Sequence, residues 1–224
     1  IYRALIGDKM KKCMLLLAGL TMLCSLTGCF NASTIEFDES KFSVGEFDYK
    51  ASDVQKIKLD WVAGDVTIKE SSNKNLYVRE TNSESHYNRK LRYYIHDGIL
   101  EIKFCKSGFA SSSIGSKDLE IEVPALSELN INVVSSDVKF PKTSAKKITF
   151  DSVSGNLSAE IESGVKKIVA DTVSGNIDLT FNDSQFVDVF FETISGNKKS
   201  KYSGTGPSKV DVIVNTVSGN LILK

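Results

Sequence analysis

The residues that could carry acid–base or nucleophilic chemistry are few and lie far apart in the sequence. The chain has two histidines, His86 and His96, and four cysteines. A Ser–His–Asp hydrolase needs a histidine that reaches one sharply presented serine, but the serines here recur in a repeated string, as turn residues do. No histidine or cysteine cluster has the spacing of a zinc site. The sequence therefore predicts no catalytic residue, no metal site and no cofactor.

The N-terminal residues have the pattern of an export signal. A lysine-rich patch at 9–12 precedes residues 14–26, which carry no charge and are rich in Leu and Met. This stretch has the length of a signal-peptide core and is too short to span a bilayer comfortably. We predict a signal peptide over residues 1–28, with a plausible start at Met10 and no role for the residues before it.

Cys29 follows the apolar stretch directly and is the candidate for covalent modification. The residues that end there resemble the lipobox of bacterial lipoproteins, namely Leu26, Thr27, Gly28 and Cys29. The resemblance implies that the Cys29 thiol receives a diacylglyceryl group with fatty acids such as palmitate. Two acyl chains would hold the protein stably on a membrane. The alternative is an ordinary secretory signal with an incidental cysteine; Cys13 and Cys24 lack the lipobox context.

Composition and charge narrow the class of protein further. The 224 residues are 41% hydrophobic, which is enough for a folded core, and 28 basic and 28 acidic groups give a formal charge of zero. Without residues 1–28, which hold four basic groups and one acidic group, the remainder is slightly acidic. A nucleic-acid-binding surface would need a basic excess, so we predict no nucleic-acid partner. With Cys13 and Cys24 in the signal and Cys29 lipidated, Cys105 has no disulfide partner in the mature chain. We expect it to be a small apolar residue of the core.

A string of the type Ser/Thr-Val/Ile-Ser-Gly-Asn recurs in the second half of the chain. Its glycines are 20, 21 and 23 residues apart, and two degenerate copies upstream carry Gly64 and Ser136 at the glycine position. Glycine at such a corner permits a positive φ and lets successive corners stack closely. Val153, Val173, Ile194 and Val217 should then lie inside the corners. The predicted ladder of structural turn residues is Gly64, Gly155, Asn156, Gly175, Asn176, Gly196, Asn197, Gly219 and Asn220.

Apolar residues alternate on both sides of each string, as in Ile148/Phe150 before one and Leu157/Ala159 after it. Such alternation indicates strands with one buried face. Two strands per repeat of about 20 residues predict an all-β fold, a short β-solenoid whose coils stack about 4.8 Å apart. The alternative is an antiparallel β-sandwich. The first half is β-rich and less regular, with a hairpin around Asp97-Gly98.

The predicted organisation is a signal over 1–28, the lipidated cysteine with a tether or first strand over 29–50, and a β-domain over 51–224 that is irregular over 51–128 and regular over 129–224.

The Gly64 copy, the strand that stops at Pro124 and the four strong strings resemble the bacterial adhesin-type family of toastrack domains. The resemblance implies a right-handed β-solenoid on an exported protein, with a role in adhesion or envelope-stress sensing and no catalysis. Residues 198–200, Lys-Lys-Ser, depart from the family's apolar run, so we expect that coil to bulge or loop out.

The sequence thus predicts a lipoprotein on the outer face of the bacterial cytoplasmic membrane that acts as a non-enzymatic binding scaffold. Its partner would be an envelope protein or a wall glycan; the alternative function is a carbohydrate-active enzyme on a β-helix.

Lysine pairs at 146–147, 166–167 and 198–199 predict either a solvated edge or a basic ladder for wall polymers. The last string runs straight into Leu221–Lys224, so we expect an open C-terminal coil that associates end to end or accepts a partner's strand.

Overall fold

The computed structural model describes residues 36–49, 54–71, 75–81, 86–109, 115–181, 186–202 and 209–224. Over these residues the regular structure is β-strand, apart from short 3₁₀ turns at Glu39–Lys41 and Tyr87–Arg89. The predicted signal peptide, the lipobox and Cys29 lie outside the described residues. In the part of the chain that is described, no helix is long and apolar enough to cross a membrane.

The strands form because apolar side chains occupy every second position, so that one face of each strand is buried and the other is not. In chain order they are β1 (Ser43–Val44), β2 (Phe47–Tyr49), β3 (Lys56–Ala63), β4 (Val66–Glu70), β5 (Leu76–Thr81), β6 (Arg92–His96), β7 (Ile99–Lys103), β8 (Asp118–Val123), β9 (Glu128–Ser135), β10 (Val138–Thr143), β11 (Lys147–Ser152), β12 (Leu157–Ile161), β13 (Lys167–Thr172), β14 (Ile177–Phe181), β15 (Phe186–Thr193), β16 (Lys198–Ser200), β17 (Lys209–Thr216) and β18 (Leu221–Leu223).

The strands are arranged in two sheets of nine strands each. Sheet 1 has the order β1-β6-β7-β3-β9-β11-β13-β17-β15, and sheet 2 has the order β16-β18-β14-β12-β10-β4-β8-β5-β2. Neighbours are parallel from β7 to β15 and from β8 to β16. Strands joined by a corner, such as β11 and β12, lie in different sheets, so each coil contributes one strand to each. This stacking confirms the predicted β-solenoid and excludes the antiparallel sandwich.

Both sheets contribute to one hydrophobic core. In sheet 1, Leu129, Ile148, Ile168 and Val212 stand in register on adjacent strands, and each is at most 1% exposed. Full burial of such a side chain contributes about 1.5–3 kcal/mol relative to exposure. A single coil cannot cover its own apolar residues, so the stability of each coil depends on its neighbours.

The coils do not stack in sequence order at the C-terminal end. β17 lies between β13 and β15, and β18 lies between β14 and β16. The C-terminal coil is therefore internal, and the coil of β15 and β16 ends the stack. Lys224 is held by backbone hydrogen bonds with Leu179 and Phe181, and Tyr202 Oη donates to its carbonyl oxygen at 2.9 Å. The sequence predicts that the C-terminal coil is the open end of the stack, and this prediction is wrong because β17 and β18 each lie between two other strands. The predicted end-to-end association therefore cannot use that coil.

The polar residues of β16 explain why that coil lies at the end. Lys198 and Ser200 stand in register with Leu221 and Leu223, which are buried. An ammonium group at such a position inside the stack would lose its hydration without a compensating partner, whereas at the end Lys198 is exposed. β16 nevertheless pairs regularly with β18, so the expected bulge after Asn197 is wrong.

The corner glycines are required by the close approach of successive coils. A Cβ atom on Gly175 would lie 2.0 Å from the carbonyl oxygen of Gly155, and one on Gly219 would lie 2.0 Å from that of Gly175. At Gly196 the corresponding distance to the Gly219 oxygen is 1.9 Å. Gly155, Gly175, Gly196 and Gly219 do not have a positive φ, so the prediction that a positive φ requires glycine at these corners is wrong for them. It holds for Gly64, whose φ is 104°.

Antiparallel strands close the N-terminal end of the stack. The hairpin predicted around Asp97-Gly98 is confirmed: β6 and β7 pair antiparallel, and the two turn residues have φ values of 48° and 73°. β3 and β4 lie between the β7–β8 pair and the β9–β10 pair, so parallel stacking extends upstream of residue 129. At the outer edge, β1 and β2 have two and three residues.

A buried ion pair lies in this N-terminal half. Lys117 is 1% exposed, and its Nζ donates to Glu80 Oε1 at 3.0 Å. The ammonium also lies 4.8 Å from the Trp61 ring centroid and 4.5 Å from that of Phe104. Burial lowers the pKa of Lys117 from its ordinary value, and the Glu80 carboxylate opposes that shift. Contacts within the protein thus compensate this charge.

Gly175→Ala should destabilise the protein by roughly 3 kcal/mol, because the added methyl group would overlap the Gly155 carbonyl oxygen and force two coils apart. Urea denaturation followed by circular dichroism measures the change in the free energy of unfolding. Ser174→Ala, at the adjacent exposed position, is the matched control and should cost less than about 0.5 kcal/mol. Equal stability of the two variants would contradict the close-packing argument.

Lys117→Met should lower the free energy of unfolding by about 3–5 kcal/mol, since it leaves Glu80, whose side chain is 2% exposed, without its cation. The double variant Lys117→Met/Glu80→Gln should lose less, because the amide removes the buried charge and keeps an acceptor. Both are compared with the unsubstituted chain in the same urea titration. A double variant that is less stable than the single one would show that the two side chains are not coupled in this way.

Candidate binding surface

The asparagines of the repeated corners form a hydrogen-bonded ladder along the stack. Asn156 Oδ1 accepts from the backbone N of Asn176 at 2.8 Å and from its Nδ2 at 3.1 Å. Asn176 Oδ1 accepts from the same atoms of Asn220 at 3.0 and 2.9 Å, and Asn220 Oδ1 accepts from Asn197 N at 3.0 Å. Asp137 Oδ1 occupies the same position beneath Asn156. The stacking order of the corners is therefore 137–156–176–220–197.

The first residue of each string, which the sequence analysis passed over, closes the corner from inside. The N–H of Gly155 donates to Ser152 Oγ, and that of Gly219 donates to Thr216 Oγ1, each at 2.7 Å. Ser152 and Thr216 are 7% and 8% exposed. A hydroxyl three residues before the glycine is the sequence signal for this contact, because a buried N–H group needs a partner.

The second residue of each string faces outward, so the prediction that these side chains lie inside is wrong. Val134, in a degenerate copy, is 44% exposed, Val153 is 39% exposed and Ile194 is 66% exposed, while Val173 and Val217 are half-buried. Backbone hydrogen bonds connect successive corners at this position. The apolar row, as we call it, consists in stacking order of Val134, Val153, Val173, Val217 and Ile194. With a spacing of about 4.8 Å it is roughly 19 Å long.

A second row on the outer face of sheet 1 carries carboxylates and amides. The acidic row, as we call it, consists in register of Asp60, Asn132, Asp151, Asp171, Asn215 and Glu192. Asn132 Nδ2 donates to Asp60 Oδ1, and Asn215 Nδ2 donates to Asp171 Oδ1, each at 2.7 Å. Asp151 lies between these two amide–carboxylate pairs. The acidic row precedes the apolar row along the chain by two residues in each coil, so both rows lie side by side on one face.

Asp151 is a carboxyl group of the acidic row with a perturbed pKa. Burial raises its pKa above the ordinary value, and the neighbouring Asp171 carboxylate raises it further. The folded state therefore holds this proton more tightly than the unfolded state does, so the stabilising contribution is present at low pH. It is lost as the pH rises through the raised pKa. Once the pH has risen through that raised pKa, the ionised Asp151 opposes folding and adds to the negative potential of the face.

The structure brings together two of the three lysine pairs that could have formed a basic ladder. Lys147 and Lys167 stand in register on β11 and β13, and Lys147 Nζ donates to Glu128 Oε1 at 2.8 Å. The next residue in that row is Asp211, which interrupts it. The pair at 198–199 lies on β16, in the other sheet. The three pairs therefore do not form one basic surface.

The other candidates for chemistry have structural contacts. His96 Nε2 lies 3.1 Å from Glu101 Oε1, and its ring stacks on Tyr94 with centroids 4.5 Å apart. Cys105 is completely buried, and burial raises the pKa of its thiol, which disfavours the reactive thiolate. Among the residues that the structure describes, no group of three His, Cys, Asp or Glu side chains could hold a metal ion. Cys29 and its lipobox residues stay predictions, because they lie outside the described ranges.

Asp151→Asn should raise the free energy of unfolding at pH 7 by about 1 kcal/mol or less, because it removes the charge repulsion and supplies an amide beside Asp171. The gain should shrink as the pH falls through the raised pKa and should vanish below the ordinary carboxyl pKa, where Asp151 is protonated in both the folded and the unfolded state. Thermal or urea unfolding between pH 3 and pH 7 measures this. Asp48→Asn, at an exposed position of β2 in the other sheet, is the matched control and should give no such gain. A gain that grows at low pH would contradict the assignment.

Comparison with known proteins supports the architecture. The chain matches the family model described as Toastrack DUF4097 over residues 110–224. A "putative cell adhesion protein" from Clostridium sporogenes ATCC 15579 has a similar solved structure, with 16% identity, a TM-score of 0.61, and coverage of 81% of this chain and 99% of that one. A "putative adhesin" from Bacteroides fragilis NCTC 9343 is 14% identical, with a TM-score of 0.31 and coverage of 84% and 100%. No curated protein matches the chain.

The family match spans more than half of the chain and includes all four strong strings with their glycines and asparagines. It confirms the resemblance that those strings carry. The likeness to the Clostridium structure, at 16% identity, is one of fold. By its repeated corners, its parallel coils and this match, the chain belongs to the Toastrack DUF4097 family.

Proposed function

We propose that this protein is a non-enzymatic binding scaffold that binds an extracytoplasmic protein through the outer face of sheet 1. We further propose that the protein is exported and anchored to the membrane by a lipid on Cys29. The observation that carries the proposal is the apolar row beside the acidic row on that face. Exposed apolar residues that are contiguous mark interaction sites more often than scattered ones do. The role is adhesin-like or accessory to envelope-stress sensing.

The chemistry of the two rows favours a polypeptide with apolar and basic side chains as the partner. Apolar side chains would cover the exposed Val153 and Ile194, and a lysine or arginine beside them would approach Asp151 and Asp171. An anionic wall polymer would instead meet the negative charge of the acidic row. The apolar row is roughly 19 Å long, which is the length of an extended segment of about six residues.

Two further facts support an extracellular, adhesin-like role. The lipobox-like residues ending at Cys29 follow a stretch with the length of a signal-peptide core. The solved structure with the same fold from Clostridium sporogenes is described as that of a "putative cell adhesion protein". Lipidation at Cys29 would place the described β-domain on the outer face of the cytoplasmic membrane.

Site-specific photo-crosslinking on intact cells tests the binding face. A photoreactive residue at Val153, which is on this face, should give adducts with an envelope protein, and one at Ser158, which is exposed on sheet 2, should not. Asp171→Lys should reduce the Val153 adduct, because it places a cation where the partner's basic side chain would lie. Adducts with glycan, equal adducts from both positions, or turnover of wall oligosaccharides by the protein would overturn the proposal.

Cys29→Ser should release the protein into the medium and abolish labelling by radioactive palmitate, because the hydroxyl cannot replace the acylated thiol. Cell fractionation with immunoblotting measures the release. Cys13→Ser and Cys24→Ser are the matched controls, since both residues precede the predicted cleavage point, and both variants should stay anchored and labelled. Retention of the Cys29→Ser protein on the membrane would contradict the lipid anchor and leave the test of the binding face unaffected.

A further inference from the structure

The last strand of sheet 1, β15, has one side without a partner strand among the described residues. It pairs with β17 along its whole length, from Phe186 to Thr193, and nothing follows it in the sheet. Its outer edge therefore presents backbone N–H and C=O groups of an eight-residue strand. Such an edge is a template for pairing with another strand.

The side chains of β15 do not protect this edge. Phe186 and Phe190 are 43% and 45% exposed, on the outer face. The residues that face the core, such as Val187 and Phe191, are apolar, and the strand contains no proline. Natural edge strands are usually blunted by shortness, lysine, proline or inward-pointing charge.

The other edges of the molecule have such protection. β16, the last strand of sheet 2, has three residues and carries Lys198 in a core-facing register. β1 and β2, at the opposite end of the two sheets, have two and three residues. A long edge strand with exposed Phe side chains, which also carries Asp188 and Glu192 on its outer face, is thus a property of one end of one sheet.

We propose that β15 pairs antiparallel with β15 of a second copy of this chain, so that sheet 1 continues across two molecules. In the register centred on Val189, Phe186 faces Glu192 and Asp188 faces Phe190. A shift by two residues in one sense places Asp188 opposite Asp188, and in the other sense it places Asp188 opposite Glu192. Like charges directly opposite one another destabilise a strand pair, so of these three registers the central one is favoured because no two carboxylates face each other in it.

The pairing closes on itself, because each copy contributes the same strand to an isologous contact. Sheet 2 takes no part, since its edge strand β16 carries Lys198 and Lys199 in both copies. The β1 ends, near which the described chain begins, would then lie at the two far ends of the pair. This inference does not depend on the proposed partner of the sheet face, nor on lipidation.

Disulfide trapping tests the contact in the full chain. Facing residues in antiparallel strands have Cα atoms about 4.5–5.5 Å apart, which a disulfide can bridge. Val189→Cys should therefore form a crosslinked dimer under mild oxidation, seen on a non-reducing gel. Val169→Cys, at a half-buried position on the internal strand β13, is the matched control and should stay monomeric. Crosslinking of Val189→Cys only when mixed with Ser43→Cys would show head-to-tail association and overturn the proposal, as would no crosslinking.

Two substitutions at Phe190 test the register. Phe190→Asp should weaken dimerisation at least about tenfold, because the new carboxylate faces Asp188 of the second copy. Phe190→Lys should preserve the dimer, because the new ammonium group faces that same carboxylate. Analytical ultracentrifugation measures the association, and melting curves check that both variants are folded. Equal loss of the dimer in both variants, or no loss in either, would overturn the proposed register.

Discussion

The contact between each corner glycine and the carbonyl oxygen of the adjacent coil sets the spacing on which the rest of the structure depends. At Gly155, Gly175 and Gly219 there is no room for a Cβ atom. Because the backbones approach so closely, the strands on both sides of the corner come within hydrogen-bonding distance of their neighbours. Equivalent residues then fall into rows, and the asparagine ladder, the apolar row and the acidic row are consequences of this one contact.

The order of the coils follows from what their core-facing positions carry. The C-terminal coil places Val212, Val214 and Leu223 toward the core, so it is stable between two others. The coil that precedes it in sequence carries Lys198 at a core-facing position. Burying that ammonium group inside the stack would cost more free energy than leaving it in water at the end of the stack. The stack therefore departs from sequence order at the point where a polar residue interrupts the apolar pattern, and the interrupted coil becomes a natural end.

The two ends of the molecule differ in how they meet solvent. At the N-terminal end, antiparallel strands and the short β1 and β2 terminate the sheets. At the other end, β16 is polar and short, but β15 is long and keeps Phe186 and Phe190 exposed. A scaffold of stacked coils thus offers two kinds of surface, a face formed by rows of side chains and an edge formed by backbone groups. In the function that we propose, the face would select a partner by charge and apolar area, and in the proposed dimer the edge would select one by strand register.

The amino-acid sequence by itself determined the repeat unit, since the Gly-Asn strings and the alternating apolar residues around positions such as Ile148 and Leu157 are local patterns with one regular solution. It also determined the hairpin at Asp97-Gly98. Only the tertiary structure decided that Val153 faces outward, that the β15–β16 coil is last, and that Lys117 pairs with Glu80, 37 residues away. These outcomes depend on how much surface distant segments remove from water when they pack, and no local pattern contains that information.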